Sequence, residues 1–120
     1  MVHQIINPTE IDAYAKNLHD IIGDGIIREV VLREFQTSSK PRETHAELRL
    51  IFSNGATLVV SDKVSSYPVI KNVVGSRITS VTTGKHDDGC WGITLNKGKR
   101  AIIQIDGKIH PSEGIEITKK

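Results

Sequence analysis

Apolar residues recur at intervals of three and four between residues 8 and 22, and this spacing predicts an amphipathic helix. Asn7-Pro8-Thr9-Glu10 is typical of a helix start, because Asn7 can cap a free backbone N–H and Pro8 suits the first helical position. Gly23 follows the last apolar position and should end the helix. The apolar stripe, which we expect to pack on a sheet, consists of Ile11, Tyr14, Ala15, Leu18, Ile21 and Ile22.

After Gly25 the pattern changes to period two, and β-branched residues become frequent. Alternation predicts strands at Ile26–Phe35, Ala46–Phe52 and Thr57–Val60. Asn54-Gly55 between the last two predicts a hairpin, since both residues accept the positive φ of a type I′ turn.

A connector from Ser61 to Asn72 contains Tyr67-Pro68, which bars a central strand and predicts an irregular crossover. The order of signals then repeats, with a loop at Gly84–Gly89 and a turn at Asn96-Lys97-Gly98. The strands predicted in this half are Arg77–Thr82, Trp91–Leu95, Arg100–Ile105 and a short last strand, Ile115–Thr118.

The repeat has a recognisable start, because Ile21–Ile26 (IIGDGI) matches Val73–Ile78 (VVGSRI). The sequence therefore predicts one α+β, mostly β domain over residues 1–120, with β units at 23–61 and 75–118 joined by a connector at 62–74. Each unit should be a three-stranded antiparallel meander, and Gly23–Val60 should superpose on Gly75–Ile105. Because the strands are short, a bent sheet or partly open barrel is favoured over two flat sheets.

Each repeated unit begins with an aliphatic pair, Gly, two residues and Ile, and continues with strands joined at Asn54-Gly55 or at Asn96-Lys97-Gly98. This doubled unit resembles small uncharacterised β proteins of bacteria and phages. Some of these are immunity-like or accessory proteins. The likeness covers nearly the whole chain. It implies a stand-alone binding or inhibitory protein and supplies no catalytic residues.

Length and composition fit one ordinary globular domain of 120 residues. Cys90 is the only cysteine, so no internal disulfide can form and nothing indicates an oxidising compartment. No apolar stretch approaches the roughly 20 residues that a membrane-spanning helix needs. The net charge of +2 is scattered along the chain, which is too weak to indicate nucleic acid by itself. We expect a cytoplasmic protein that does not bind membranes.

His86-Asp87-Asp88-Gly89-Cys90 is the densest group of potential metal ligands, but no second His or Cys pair completes a zinc site. Cys90 could act as a nucleophile helped by His86 or His110, although no cysteine-hydrolase signature surrounds it. A polar loop followed by a packing cysteine is the favoured interpretation. No Gly-rich loop follows a strand and opens a helix, which excludes the common nucleotide folds. We predict no cofactor and no metal.

Basic residues gather around the loops, and such clusters can hold a phosphate or an acidic protein surface. The candidate binding residues are Lys40, Arg42, Lys85, His86, Lys97, Lys99 and Arg100, which could form one rim. The favoured hypothesis is a non-enzymatic binding protein, as monomer or homodimer, that occupies a protein partner or sequesters a small anionic, nucleotide-like ligand. The alternatives are a nucleic-acid-associated protein using the basic loops and a metal-dependent enzyme centred on His86–Cys90.

Overall fold

The computed structural model describes residues 8–36, 44–61, 64–67, 73–85, 90–108 and 110–120. Its helix, α1, spans Pro8–Ile22, the bounds that the apolar spacing predicts. Ile11, Leu18 and Ile22 of the predicted stripe are buried. Asn7, the predicted cap, lies outside the described residues. Within the described ranges, no helix is both long and apolar enough to span a membrane.

Eight strands follow α1 in this described part of the chain. They are β1 (Ile27–Gln36), β2 (Thr44–Phe52), β3 (Ala56–Ser61), β4 (Ser65–Tyr67), β5 (Ser80–Lys85), β6 (Trp91–Lys97), β7 (Arg100–Gly107) and β8 (Ile115–Lys119). A 3₁₀ helix, Pro111–Glu113, precedes β8. The strands form two four-stranded antiparallel sheets, ordered β1-β2-β3-β8 and β5-β6-β7-β4. The predicted class, α+β and mostly β, is confirmed.

Both predicted meanders are present, as β1-β2-β3 and β5-β6-β7, and each sheet gains a fourth strand from outside its own meander. β8, at the end of the second unit, pairs with β3 of the first, so that Ile115 lies opposite Val60. β4, within the predicted connector, pairs with β7 of the second unit, where Ser66 lies opposite Ile105. The prediction of an irregular connector is therefore wrong at 65–67. A strand of three residues is too short to show alternation, and its partner lies far along the chain.

The two sheets meet at one corner and do not close into a barrel. An isolated antiparallel bridge joins Ile26 to Arg77 there. Ile27 N donates to Ser76 O at 2.9 Å, and Gly75 N donates to Ile27 O at 2.7 Å. Both sheets and α1 contribute to one buried cluster, which includes Trp91, Phe52, Leu18, Leu58 and Ile103.

The two units share the same strand order, but equivalent positions are offset by one residue from the alignment that the sequence predicts. Ile27 and Ile78 are 0% and 2% exposed, whereas Ile26 is 42% exposed. A hydrogen-bonded turn precedes each buried isoleucine, joining Gly25 to Ile22 and Ser76 to Val73, both at 2.9 Å. Residues 22–27 therefore correspond to residues 73–78, and the predicted match of Ile26 with Ile78 is wrong. The superposition of the two units stays a prediction.

The β2–β3 turn contains three residues instead of the predicted two-residue type I′ turn. β2 ends at Phe52 and β3 begins at Ala56, which leaves Ser53, Asn54 and Gly55 between them. Gly55 adopts the left-handed φ of +90°, and its N–H donates to Phe52 O at 3.2 Å. Asn54 is held instead by its side chain, which binds the end of α1.

The first strand of the second unit is also displaced from its predicted position. β5 begins at Ser80, because Arg77 belongs to the corner bridge between the sheets. Gly84, predicted as the start of a loop, therefore lies inside β5.

Candidate functional site

A cleft of about 560 Å³ lies between α1 and β5. Asp12, Ala15, Lys16 and His19 line it from the helix, where spacings of three and four residues place them on one face. The other wall is the backbone and side chains of residues 79–83, where threonine and serine are frequent. α1 packs mainly against β5, so the position of the helix determines the width of the cleft.

Two contacts fix the first half of α1 to different sheets. Thr83 Oγ1 donates to Asp12 Oδ1 in the cleft wall. Tyr14 OH donates to Ile115 O at the start of β8, at 2.8 Å. Burial raises the pKa of the Tyr14 hydroxyl above its ordinary value of 10.0, and the nearby Glu116 carboxylate raises it further. α1 therefore bridges the two sheets that form the fold.

The last turn of α1 is held by the β2–β3 turn. Asn54 Nδ2 donates to Ile22 O at 2.7 Å and, more weakly, to Ile21 O at 3.4 Å. Asn54 Oδ1 accepts from Ala56 N at 3.1 Å, which fixes the amide orientation. A side chain from a hairpin thus satisfies carbonyls that a helix end leaves unpaired.

A second depression of about 310 Å³ continues from the cleft beyond the end of α1. His19 and Thr79 line both spaces, so that the two form one continuous groove. Asp24 and Arg77 face each other across the second depression, with Arg77 Nη1 and Asp24 Oδ1 3.9 Å apart. Both side chains are well exposed, so their pairing is open to competition from a ligand.

The basic β6–β7 turn adjoins this groove at Thr79. Gly98 N donates to Thr79 Oγ1 at 2.7 Å, and Thr79 Oγ1 donates to Asn96 O at 3.1 Å. Lys97 Nζ donates to Ser76 Oγ at 3.4 Å, beside Arg77. Gly98 has a φ of +61°, which allows the tight turn that approaches Thr79.

Only part of the predicted basic rim can be located. Lys97, Lys99 and Arg100 lie together at the β6–β7 turn. Lys85 ends β5 and lies opposite Trp91, the first residue of β6, whereas Lys97 is the last residue of β6. The length of β6 therefore separates the backbones of Lys85 and Lys97 by about 20 Å. The described residues therefore do not unite Lys85 with the turn. Lys40, Arg42 and His86 lie outside the described residues, and the binding role of all seven stays a prediction.

The predicted metal or nucleophile group also falls mostly outside the described residues, which include only Cys90 of the five residues from His86 to Cys90. Cys90 is 9% exposed, directly before the buried Trp91, as a packing role would require. His110 caps the 3₁₀ helix, with Nδ1 2.8 Å from Ser112 Oγ, and its Nε2 lies 3.7 Å from Glu10. Among the residues that the structure describes, no three His, Cys, Asp or Glu side chains converge as metal ligands.

The cleft is not predicted by the sequence, and neither are five residues that line the groove: Asp12, Lys16, His19, Arg77 and Thr79. These residues carry no local motif, because the two walls lie some seventy positions apart in the chain, as for Asp12 and Thr83. The only available signal was the pattern of polar residues flanking the apolar stripe of the helix. No protein family, curated protein or solved structure matches the chain.

Proposed function

We propose that the chain is a non-enzymatic binding protein whose groove between α1 and β5 holds an anionic group, such as the phosphate or carboxylate of a small ligand. The observation that carries this proposal is the contact of the basic β6–β7 turn with the groove through Gly98 and Thr79, at 2.7 Å. The cleft volume of about 560 Å³ falls in the range of small-molecule sites. The same cations could meet an acidic surface of a protein partner.

Charge around the groove supports an anionic ligand. Lys16 lines the cleft, and Arg77 lines the depression beyond α1. The β6–β7 turn, which contacts the groove at Thr79, adds Lys97, Lys99 and Arg100. Asp12 accepts from Thr83, and Asp24 lies 3.9 Å from Arg77 in an exposed pair that a ligand can displace. The surplus of positive charge over these two carboxylates therefore comes from the basic turn. Arginine and lysine donors favour phosphate and carboxylate oxygens.

Isothermal titration with pyrophosphate and a set of nucleoside mono- and diphosphates tests the proposal. Arg77→Ala and Arg100→Ala should each weaken binding roughly tenfold, because each removes a charge-assisted hydrogen bond. Lys108→Ala is the matched control. It removes one exposed positive charge just beyond the end of β7 that lies far from the basic turn, and should leave the affinity unchanged.

Two results would contradict the proposal: none of the anions binds, or Lys108→Ala weakens binding as much as Arg77→Ala. Preferential binding of long single strands, with an affinity that falls steeply with salt, would favour the nucleic-acid alternative. Conversion of a nucleoside phosphate during the titration would refute a purely binding role.

A further inference from the structure

β1 forms an edge of the first sheet in the part of the chain that the structure describes. Among backbone hydrogen bonds within the described ranges, only its first residue, Ile27, is bonded on the outer side, to the corner at residues 75–76. β1 is ten residues long, whereas its counterpart β5 has six. A long strand with an open edge is a template for pairing with another chain.

The peptide groups of Val30 and Leu32 are directed to this open edge. Phe52 O accepts from Gly55 N in the β2–β3 turn, so the peptide groups of Phe52 face β3. Alternation along β2 then directs those of Leu50 and Leu48 to β3 as well. Because Val30 and Leu32 lie opposite these two residues, their own N–H and C=O groups are directed away from β2.

The apolar side chains at the edge also lack the cover that the other unit has. The correspondence of Ile27 with Ile78 makes Leu32 the counterpart of Thr83, which is bonded to Asp12 of α1. Leu32 is 69% exposed, although it lies opposite the buried Leu48 and so on the inner side of the sheet. The surface that α1 covers on β5 is thus open on β1 among the described residues.

The sequence of β1 is complementary to itself in the antiparallel direction. Residues 28–34 read REVVLRE, and a two-fold axis at Val31 places Glu29 of one copy opposite Arg33 of the other. The same axis places Val30 opposite Leu32 and Arg28 opposite Glu34. Opposed residues of an antiparallel pair share one face, so each opposition joins opposite charges or two apolar side chains.

We propose that two copies of the chain pair through the β1 edges about this axis, which would join their first sheets into one continuous eight-stranded sheet. Neighbouring registers fit worse. If the partner strand is shifted by two residues so that the axis moves towards the C-terminus, Val30 lies opposite Glu34 and Val31 opposite Arg33. The same shift in the other direction places Leu32 opposite Arg28. The occupant of the open edge is therefore a second copy in one defined register.

Disulfide trapping tests the register directly. Val31 sits on the axis, so the Val31→Cys chain should cross-link to a dimer under mild oxidation. The Thr57→Cys chain should not, because Thr57 lies on the same sheet face but on β3, away from the edge. The wild-type chain controls for the buried Cys90. Cross-linking of Val31→Cys that is no faster than that of Thr57→Cys would overturn the inference.

A charge exchange tests the same register without cysteine. Sedimentation velocity should show a wild-type dimer whose dissociation constant rises roughly tenfold or more in Arg33→Glu, because two Glu29 side chains then face like charges. The double variant Glu29→Arg/Arg33→Glu should restore dimerisation. Thermal unfolding of each variant shows whether it is folded. A wild-type monomer at every soluble concentration, or a double variant no better than the single one, would overturn the inference.

Discussion

Asn54 fixes the end of α1 from the β2–β3 turn, so its replacement should loosen one wall of the groove. Asn54→Ala removes the donor to Ile22 O at 2.7 Å and the weaker donor to Ile21 O at 3.4 Å. It also removes the acceptor for Ala56 N at 3.1 Å. Ile22 O keeps a second donor, Gly25 N, at 2.9 Å. The main loss is therefore one good hydrogen bond and the partner of one backbone N–H.

The magnitude follows from these contacts. A neutral hydrogen bond contributes about 1 kcal/mol net, and an unsatisfied buried N–H costs about 1 to 3 kcal/mol. Ala56 is fully buried, so water cannot readily replace the lost acceptor. We expect Asn54→Ala to lower the free energy of unfolding by about 2 to 3 kcal/mol, or the Tm by roughly 10 °C for a domain of this size.

Urea denaturation followed by circular dichroism measures this change, and an unchanged slope with urea shows that the variant unfolds the same structure. Asn54→Asp is the informative second variant. It retains an acceptor for Ala56 N but places a carboxylate against the carbonyl end of α1, where negative charge is unfavourable. Its loss should match or exceed that of Asn54→Ala at pH 7 and diminish towards about pH 4, as the carboxylate is protonated. A loss below about 0.5 kcal/mol in Asn54→Ala would refute the capping role.

Two further predictions concern the packing that supports the groove. The pKa of Tyr14 is raised in the folded protein. The contribution of its hydroxyl to the stability of the fold is therefore complete below the unfolded-state pKa near 10.0 and is lost as the pH rises through the folded-state pKa. The free energy of unfolding should therefore fall above about pH 10. In Tyr14→Phe this fall should be less steep, and the free energy of unfolding at neutral pH should be about 1 kcal/mol lower than in the wild type. Gly107→Ala should lower the free energy of unfolding by about 1 to 3 kcal/mol in urea denaturation, because a Cβ at this position would overlap Trp91 Cζ2. Gly84→Ala is the matched control, since a Cβ there meets nothing within 4 Å, and equal losses in the two variants would contradict the packing account.

Local patterns predicted the elements well. The spacing of Ile11, Leu18 and Ile22 gave α1 its bounds, and alternation located both meanders, because these signals depend only on neighbouring residues. The addition of β8 to the first sheet and of β4 to the second was not predictable in this way. It depends on pairing between β3 and β8, and between β4 and β7, across distant parts of the chain.

In the candidate site, too, local features were predictable and long-range contacts were not. The basic turn at Lys97, Lys99 and Arg100 was visible as a run of charge beside a glycine. Its neighbourhood was not, because Thr79 contacts that turn only through the register of β5 with β6. The sequence pattern predicts Arg77 as the first residue of a strand, whereas the structure places it in the corner bridge beside the groove.

The central claim is that an anion binds where the groove meets the basic turn. Titration of ¹⁵N-labelled protein with pyrophosphate, followed by amide chemical shifts, tests this claim most directly. The account predicts the largest shifts at Thr79, Arg77 and the turn from Lys97 to Arg100, and small shifts at Lys108 and along β1. Shifts concentrated at Lys108, or no saturable shifts at the turn, would contradict it.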